Sequence, residues 1–240
     1  MSDILLTSEE AIEEVELLRV EPSESLNNVK KKLISVLKDQ SCLVLGSSPS
    51  AKIPSLTDFD RCLCVNGSPY IAHENSLIID VTVLIGYTTA MKKDISALSM
   101  NKISGIHTNE LLFVSAGDTF ENCLEKVKEL DFTFGSASEL SPLERAAIIG
   151  EVCGVEFGLG PRDERISNGV FTIIAALWAG ARKVIVSGIS LSGGHHYAQG
   201  TPRHHLIGDE ACLKLLGKSK YRVLTTSSEL SEMTGLELYS

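Results

Sequence analysis

Six short, almost unbroken apolar runs constrain this chain more than any other property: Cys42–Leu45, Cys62–Val65, Leu77–Val81, Leu111–Val114, Val184–Ser187 and Tyr221–Leu224. A strand that is apolar at every position must be covered on both faces, and that is the condition of strands in a parallel sheet sandwiched by helices. The stretches between the runs carry a helical apolar period, predicting helices over Tyr87–Leu98, Thr119–Leu130, Pro142–Cys153, Asn168–Ala179 and Leu206–Leu216. Ile103–His107 is the one segment whose pattern does not decide. The expected fold is therefore α/β: a doubly wound, mostly parallel, Rossmann-like sheet.

Two further helices are predicted ahead of the first strand, about Ser8–Leu18 and Ser25–Lys38, the second with Leu26, Val29, Leu33 and Val36/Leu37 in one stripe. Residues 1–38 read as an N-terminal helical extension and 39–240 as a single α/β domain. The stripe fits packing on the chain's own core or on a second copy, so a homo-oligomer stays open.

Net charge is -9 with no Lys/Arg block. Binding to a nucleic-acid backbone depends on neutralising phosphates, so nucleic acid is excluded as the main partner. The first residues lack a basic segment followed by a long apolar run, and no run reaches the roughly 18 apolar residues of a membrane span. A cytoplasmic protein without a membrane span is expected. The six cysteines form no C-x-x-C pair, and Cys62 and Cys64, two apart in a strand, share a face; buried free thiols are expected.

In an open parallel sheet the loops after the strands' C-terminal ends line the ligand crevice. Here these loops hold Gly46-Ser47-Ser48-Pro49-Ser50 after the first run, Asn66-Gly67-Ser68 after the second, Asp80 at the end of the third, and Gly188, Ser190 and Ser192 leading into a segment with four of the six histidines. Gly46 allows close approach of a ligand, and the hydroxyls and amides beside it can face phosphate, although an ordinary turn would look the same. Ser167 or Asn168 can cap the helix that follows, whose first-turn amides suit an anion. His195-His196 and His204-His205 lack metalloprotease spacing, so a general base is favoured over a metal site. Asp58-Phe59-Asp60 matches a metal-holding D-x-D formally, but it precedes the second run and so reads as a turn.

In this order, LVLGSSPS, TDFDRCLCVNGS, RISNGVFTIIAALWAGARKVIVSGISL, a Tyr-bearing loop and H-x-x-x-x-D-x-x-x-L resemble the bacterial sialyltransferases of glycosyltransferase family 42, with related patterns in flagellin-glycosylating accessory proteins and pterin pyrophosphokinases. The likeness runs from about Cys42 to Leu224. It implies a GT-A-variant fold with a short lid loop and an inverting transfer of a sugar from a CMP-activated donor to a glycan-type acceptor. Gly46, Ser47, Ser48, Asn66 and Asp80 would contact the donor, Ser167, Asn168 and Gly169 would hold the cytidine nucleotide, and Gly188, Ser190 and Ser192 would line the crevice. Tyr197 matches a tyrosine that binds the departing phosphate, and His204 matches the catalytic base, with His205 adjacent. Ser192 stands where the family has a second tyrosine, and Ser47 stands in place of an Asn. No cofactor or metal is expected. The alternatives are a Mg-dependent pyrophosphokinase or other phosphoryl transferase on the same core, and a catalytically degenerate nucleotide- or glycan-binding member.

Overall fold

The computed structural model describes residues 23–86, 101–115, 119–155, 164–192 and 205–240. The expected helices Ser8–Leu18 and Tyr87–Leu98, and the expected site residues Tyr197 and His204, lie outside them.

One eight-stranded sheet organises the chain, and every described pairing is parallel. The strands are β1 (Ser41–Leu45), β2 (Arg61–Val65), β3 (Val81–Gly86), β4 (His107–Ser115), β5 (Thr133–Leu140), β6 (Lys183–Ser187), β7 (Val223–Thr225) and β8 (Glu237–Leu238), in the spatial order β5-β4-β3-β2-β1-β6-β7-β8. The described helices are α1 (Glu24–Leu37), α2 (Pro69–Glu74), α3 (Phe120–Glu129), α4 (Pro142–Cys153), α5 (Asn168–Trp178), α6 (Leu206–Gly217) and α7 (Ser228–Thr234).

The period-2 alternation of each strand divides the core in two. Cys42, Val44, Val81, Val83, Val184 and Val186 face one layer, where α1, α4, α5, α6 and α7 pack. Leu43, Leu45, Cys62, Cys64 and Ile185 face the other, covered by α2 and α3. Cys62 and Cys64 thus share a face as packing residues. All six cysteines are free thiols, five of them buried.

Helix α5 is buried at ten of its eleven positions, as suits a helix lying under the middle of a sheet. Its one internal hydroxyl, Thr172 Oγ1, donates to the Asn168 carbonyl at 2.8 Å. Helix α1 lays Leu26, Val29, Leu33 and Leu37 into the same core layer. Lys30 of α1 bonds Glu151 of α4 at 2.8 Å, and Glu151 accepts from the Trp178 indole of α5 at 2.6 Å, tying the three helices together.

The third apolar run needs a correction. Leu77–Val81 is not the strand; the ladder runs over Val81–Gly86. LIIDVTVLIG is apolar on both sides of its one acid, so periodicity cannot tell which half pairs. Strand β5, α2, α7 and β8 go beyond the expected elements, and β4 extends the run Leu111–Val114 at both ends.

Candidate functional site

Strand β1 sits where the winding reverses. The chain leaves it toward β2, β3, β4 and β5 on one side and returns to its other side as β6. The segment after β1 packs Ala51, Ile53 and Phe59 over one layer, whereas α6, after β6, packs Cys212, Leu213 and Leu216 over the other. Two loops diverging to opposite faces leave a crevice between them, at the C-terminal edge of the sheet.

The floor of that crevice is a backbone stitch. Gly46 N–H donates to the Ser187 carbonyl and Ser48 N–H to the Gly188 carbonyl, both at 2.8 Å. A Cβ on Gly46 would lie 2.3 Å from the Gly188 oxygen, so the strands' continuations touch only because both residues lack side chains. Gly188 also has a φ of 68°, in the left-handed region. Ser187 Oγ donates to the Lys52 carbonyl at 2.7 Å and accepts from Lys52 N–H at 2.9 Å, clamping the β1 loop to the end of β6. Ser68 does the same on the other flank: its buried hydroxyl donates to the Leu45 carbonyl at 2.6 Å and accepts from Val65 N–H at 2.8 Å. Ser47 and Ser190 are buried here, and Ser48 Oγ shares a 2.8 Å bond with Ser50 Oγ. Asn66, at a φ of 49°, accepts from Ile85 N–H through its side chain at 3.3 Å, tying the ends of β2 and β3.

A helix that precedes a parallel strand runs back along the sheet, so the N-termini of α5 and α6 also lie at this edge. Ser167 caps α5: its Oγ accepts from Val170 N–H at 3.3 Å. The Asn168 and Gly169 amides belong to the first turn and have no acceptor within the helix. A Cβ on Gly169 would meet the Ile189 side chain at 3.3 Å, and Ile189 also lies against Gly46. The α5 tip and the glycine stitch therefore share one residue as their common wall.

Helix α6 starts at His205, whose φ of 74° puts it in the left-handed region and whose side chain makes no cap. The imidazole turns instead to α5: Nδ1 lies 3.1 Å from the Arg165 carbonyl. A carbonyl only accepts, so Nδ1 is the donor in this bond. Asp209, wholly buried one turn on, accepts from Ser167 N–H at 2.6 Å. Arg145 donates to the Ile166 carbonyl at 2.7 Å with its guanidinium over the Phe171 ring. Burial pulls the Arg145 guanidinium down to about 10, Asp209 draws it up and Arg165 pushes it down; it stays charged at neutral pH.

Of the expected donor contacts, Gly46, Ser47, Ser48, Asn66, Ser167, Asn168, Gly169, Gly188 and Ser190 meet at this edge. Ser192 is exposed and its hydroxyl donates to Glu229 of α7. Asp80 is a correction. Because β3 begins at Val81, Asp80 lies at the N-terminal edge, across the sheet from the crevice, where it accepts from Cys62 N–H at 2.9 Å and Arg61 at 3.1 Å. Asp60 is at that same edge and accepts from Ser41 N–H at 2.8 Å. Burial, then Asp80 and Asp60, push the nearby Cys42 thiol up to about 12. Ser187, Arg145 and Gly208 emerge only from the structure as parts of the site. Ser68 and Asp209 have a signal in the sequence, the first in the loop after the second run and the second in its spacing from His204.

The fold and the edge define a class: a doubly wound α/β protein with its topological switch point at β1, the place where such sheets take their ligands. Comparison with known proteins narrows this to a shape. No protein-family model matches the chain, and no curated protein does. Among solved structures, the sialyltransferase CstII of Campylobacter jejuni, in complex with the substrate analogue CMP-3FNeuAc, is 14% identical over 84% of this chain and 86% of its own, with a TM-score of 0.50. The monofunctional alpha-2,3-sialyltransferase Cst-I of the same organism is 14% identical over 83% and 80%, again with a TM-score of 0.50. The chain is thus similar in fold to these two enzymes. No helix among the described residues is long and apolar enough to cross a membrane, and they hold no group of three or more metal-ligating side chains.

Proposed function

We propose that the chain is an inverting, sialyltransferase-like glycosyltransferase that moves a sugar from a CMP-activated donor to an acceptor hydroxyl. The observation that carries this reading is the meeting of an imidazole and a helix N-terminus at one crevice, with His205 bonded to the carbonyl two residues before the α5 cap. The nucleotide phosphate would lie against the Asn168 and Gly169 amides, beside the glycine stitch and the Ile189 side chain that borders both.

The His204-His205 pair supplies the general base. With Nδ1 of His205 bonded to the Arg165 carbonyl, Nε2 is the nitrogen that would take the acceptor's proton as that oxygen attacks the anomeric carbon. The bond to the nucleotide phosphate breaks on the opposite face, and the α5 amides would meet the charge left on that phosphate, with Tyr197 in the part that the resemblance gives it. Preorganised donors of this kind contribute about 3 kcal/mol each. With the leaving phosphate stabilised in this way, the reaction needs no metal. The phosphoryl-transfer alternative loses ground because the acid it would use, Asp80, is bonded into the far edge.

The test is a nucleotide panel followed by turnover. CMP or CDP, but not ATP or GDP, should raise the melting temperature, and a ligand at 100 times its Kd adds about 2.7 kcal/mol to the folded state. His205→Ala should lower transfer from CMP-sialic acid by about 100- to 10,000-fold while CMP still binds, and His204→Ala should lower it less. Failure of every cytidine nucleotide to bind would overturn the reading. Nucleotide binding with no turnover, indifferent to both substitutions, would select the degenerate binding member.

A further inference from the structure

Two helix N-termini meet beside the crevice, and a buried carboxylate lies between them. Each terminus has a partial positive charge from its unpaired amides. Asp209 belongs to the first turn of α6 and accepts the Ser167 amide at the cap of α5. Its own N–H donates to the His205 carbonyl at 2.9 Å. One residue therefore grips the α5 cap with its side chain and the base-bearing turn with its backbone.

Gly208 supplies an independent sign that this approach is built in. A Cβ there would lie 2.3 Å from the Glu164 carbonyl oxygen and 2.6 Å from that of Arg165. Both contacts are backbone, so the α6 turn reaches the Glu164–Arg165 segment only because position 208 has no side chain. The Arg165 carbonyl is the one that holds His205 Nδ1. From the other side Arg145 fixes the Ile166 carbonyl, so the strip Arg165–Ser167 is gripped at three successive residues by His205, Arg145 and Asp209.

We infer that Asp209 is a positioning residue: by joining the α6 turn to the Ser167 amide, with Gly208 permitting the approach, it fixes where the base-bearing turn sits relative to the anion-binding tip of α5. This rests on the glycosyltransferase reading for its consequence in turnover, but not for the contact itself. The chemistry asks for such a device. A base must stay near 3 Å from the acceptor oxygen while the α5 amides stay on the leaving phosphate, and a displacement of about 1 Å costs on the order of a hundredfold in rate. Unless something joins them, the two helix tips repel each other.

The experiment uses the full chain with labelled histidine and amide nitrogens. In the wild type His205 should show the Nδ1–H tautomer, and the Ser167 amide proton should lie far downfield and exchange slowly, as a charge-assisted bond requires. Asp209→Ala and Gly208→Ala should each shift His205 toward the Nε2–H tautomer that a free imidazole prefers. Each should lower kcat with CMP-sialic acid roughly 10- to 100-fold, with CMP affinity changed by less than about threefold. A folded variant of either kind that keeps the wild-type His205 signals and kcat would overturn the inference. So would an ordinary, fast-exchanging Ser167 amide in the wild type, a measurement that needs no variant to fold. A wild type with both expected signals but no response to cytidine nucleotides would sink the glycosyltransferase reading and leave the Asp209 contact established.

Discussion

The two edges of the sheet use their polar residues in opposite ways. At the N-terminal edge Asp60 and Asp80 are bonded to the strand ends they adjoin: Ser41 N–H for the first, Cys62 N–H and Arg61 for the second. Their capacity is consumed in closing the edge. At the C-terminal edge hydroxyls also stitch strand ends together, through Ser68 and Ser187, but the stitching brings backbone amides, two glycines and an imidazole around an opening. Asp60 and Asp80 close the N-terminal edge, whereas glycines and hydroxyls shape the C-terminal one, where the carboxylate of Asp209 joins two helix tips instead. The same residue type at the two edges therefore means different things, as Asp80 illustrates.

Substitutions at either edge can break this contrast. The largest stability effect is expected from Gly46→Ala, because the added methyl meets backbone that cannot swing away. A loss of about 3 kcal/mol is expected by denaturant unfolding, with loss of CMP binding in whatever remains folded. Asp80→Ala should cost about 2 kcal/mol by leaving Cys62 N–H and Arg61 without their acceptor, yet leave CMP affinity unchanged. A parallel fall in CMP affinity for both variants would mean that the edges are not functionally separate.

The smallest effect concerns pH and lies at the cap of α4, just past the end of the border strand β5. Burial pushes the Glu144 carboxyl up, but hydrogen bonds from Ser23 and Ser141 outweigh it and hold the group below its ordinary 4.5. A carboxyl depressed in the folded state stabilises at pH above its unfolded value, and that contribution fades as pH falls through the folded one. Glu144→Gln should therefore narrow the gap in stability between pH 7 and pH 3 by a measurable but small amount. A wider gap would reverse the sign of the Ser23 and Ser141 contribution.

How much could be read beforehand follows the same physics. Strands β1, β2 and β6 announce themselves because both faces are buried, and an uninterrupted apolar run has few other uses. Helix α4 is marked at its start by a complete capping box of Ser141 and Glu144. Strand β5, TFGSASEL, has no such mark, since it borders the sheet with small and polar residues and owes its form to seven residue pairings with β4. The edge on which Asp80 falls is not legible, because the apolar residues continue on both sides of it and nothing in the sequence marks where the strand begins. In the site, the glycines and the α5 cap could be found from local spacing. Arg145 and Ser187 could not, because each acts on a backbone group far away in the chain, and the spacing of Asp209 from His204 does not reveal its bond to the Ser167 amide.

The clamp between Lys52 and Ser187 joins positions 135 residues apart. Half of the crevice is thus synthesised long before its other wall exists. A chain emerging from the ribosome has the β1 loop with no β6 to close it, so under the proposed function nucleotide would be captured only once most of the polypeptide has been made and the central pairing of β1 with β6 has formed. Ligand binding would then report completed assembly of the sheet, and a truncation anywhere before β6 should abolish it outright.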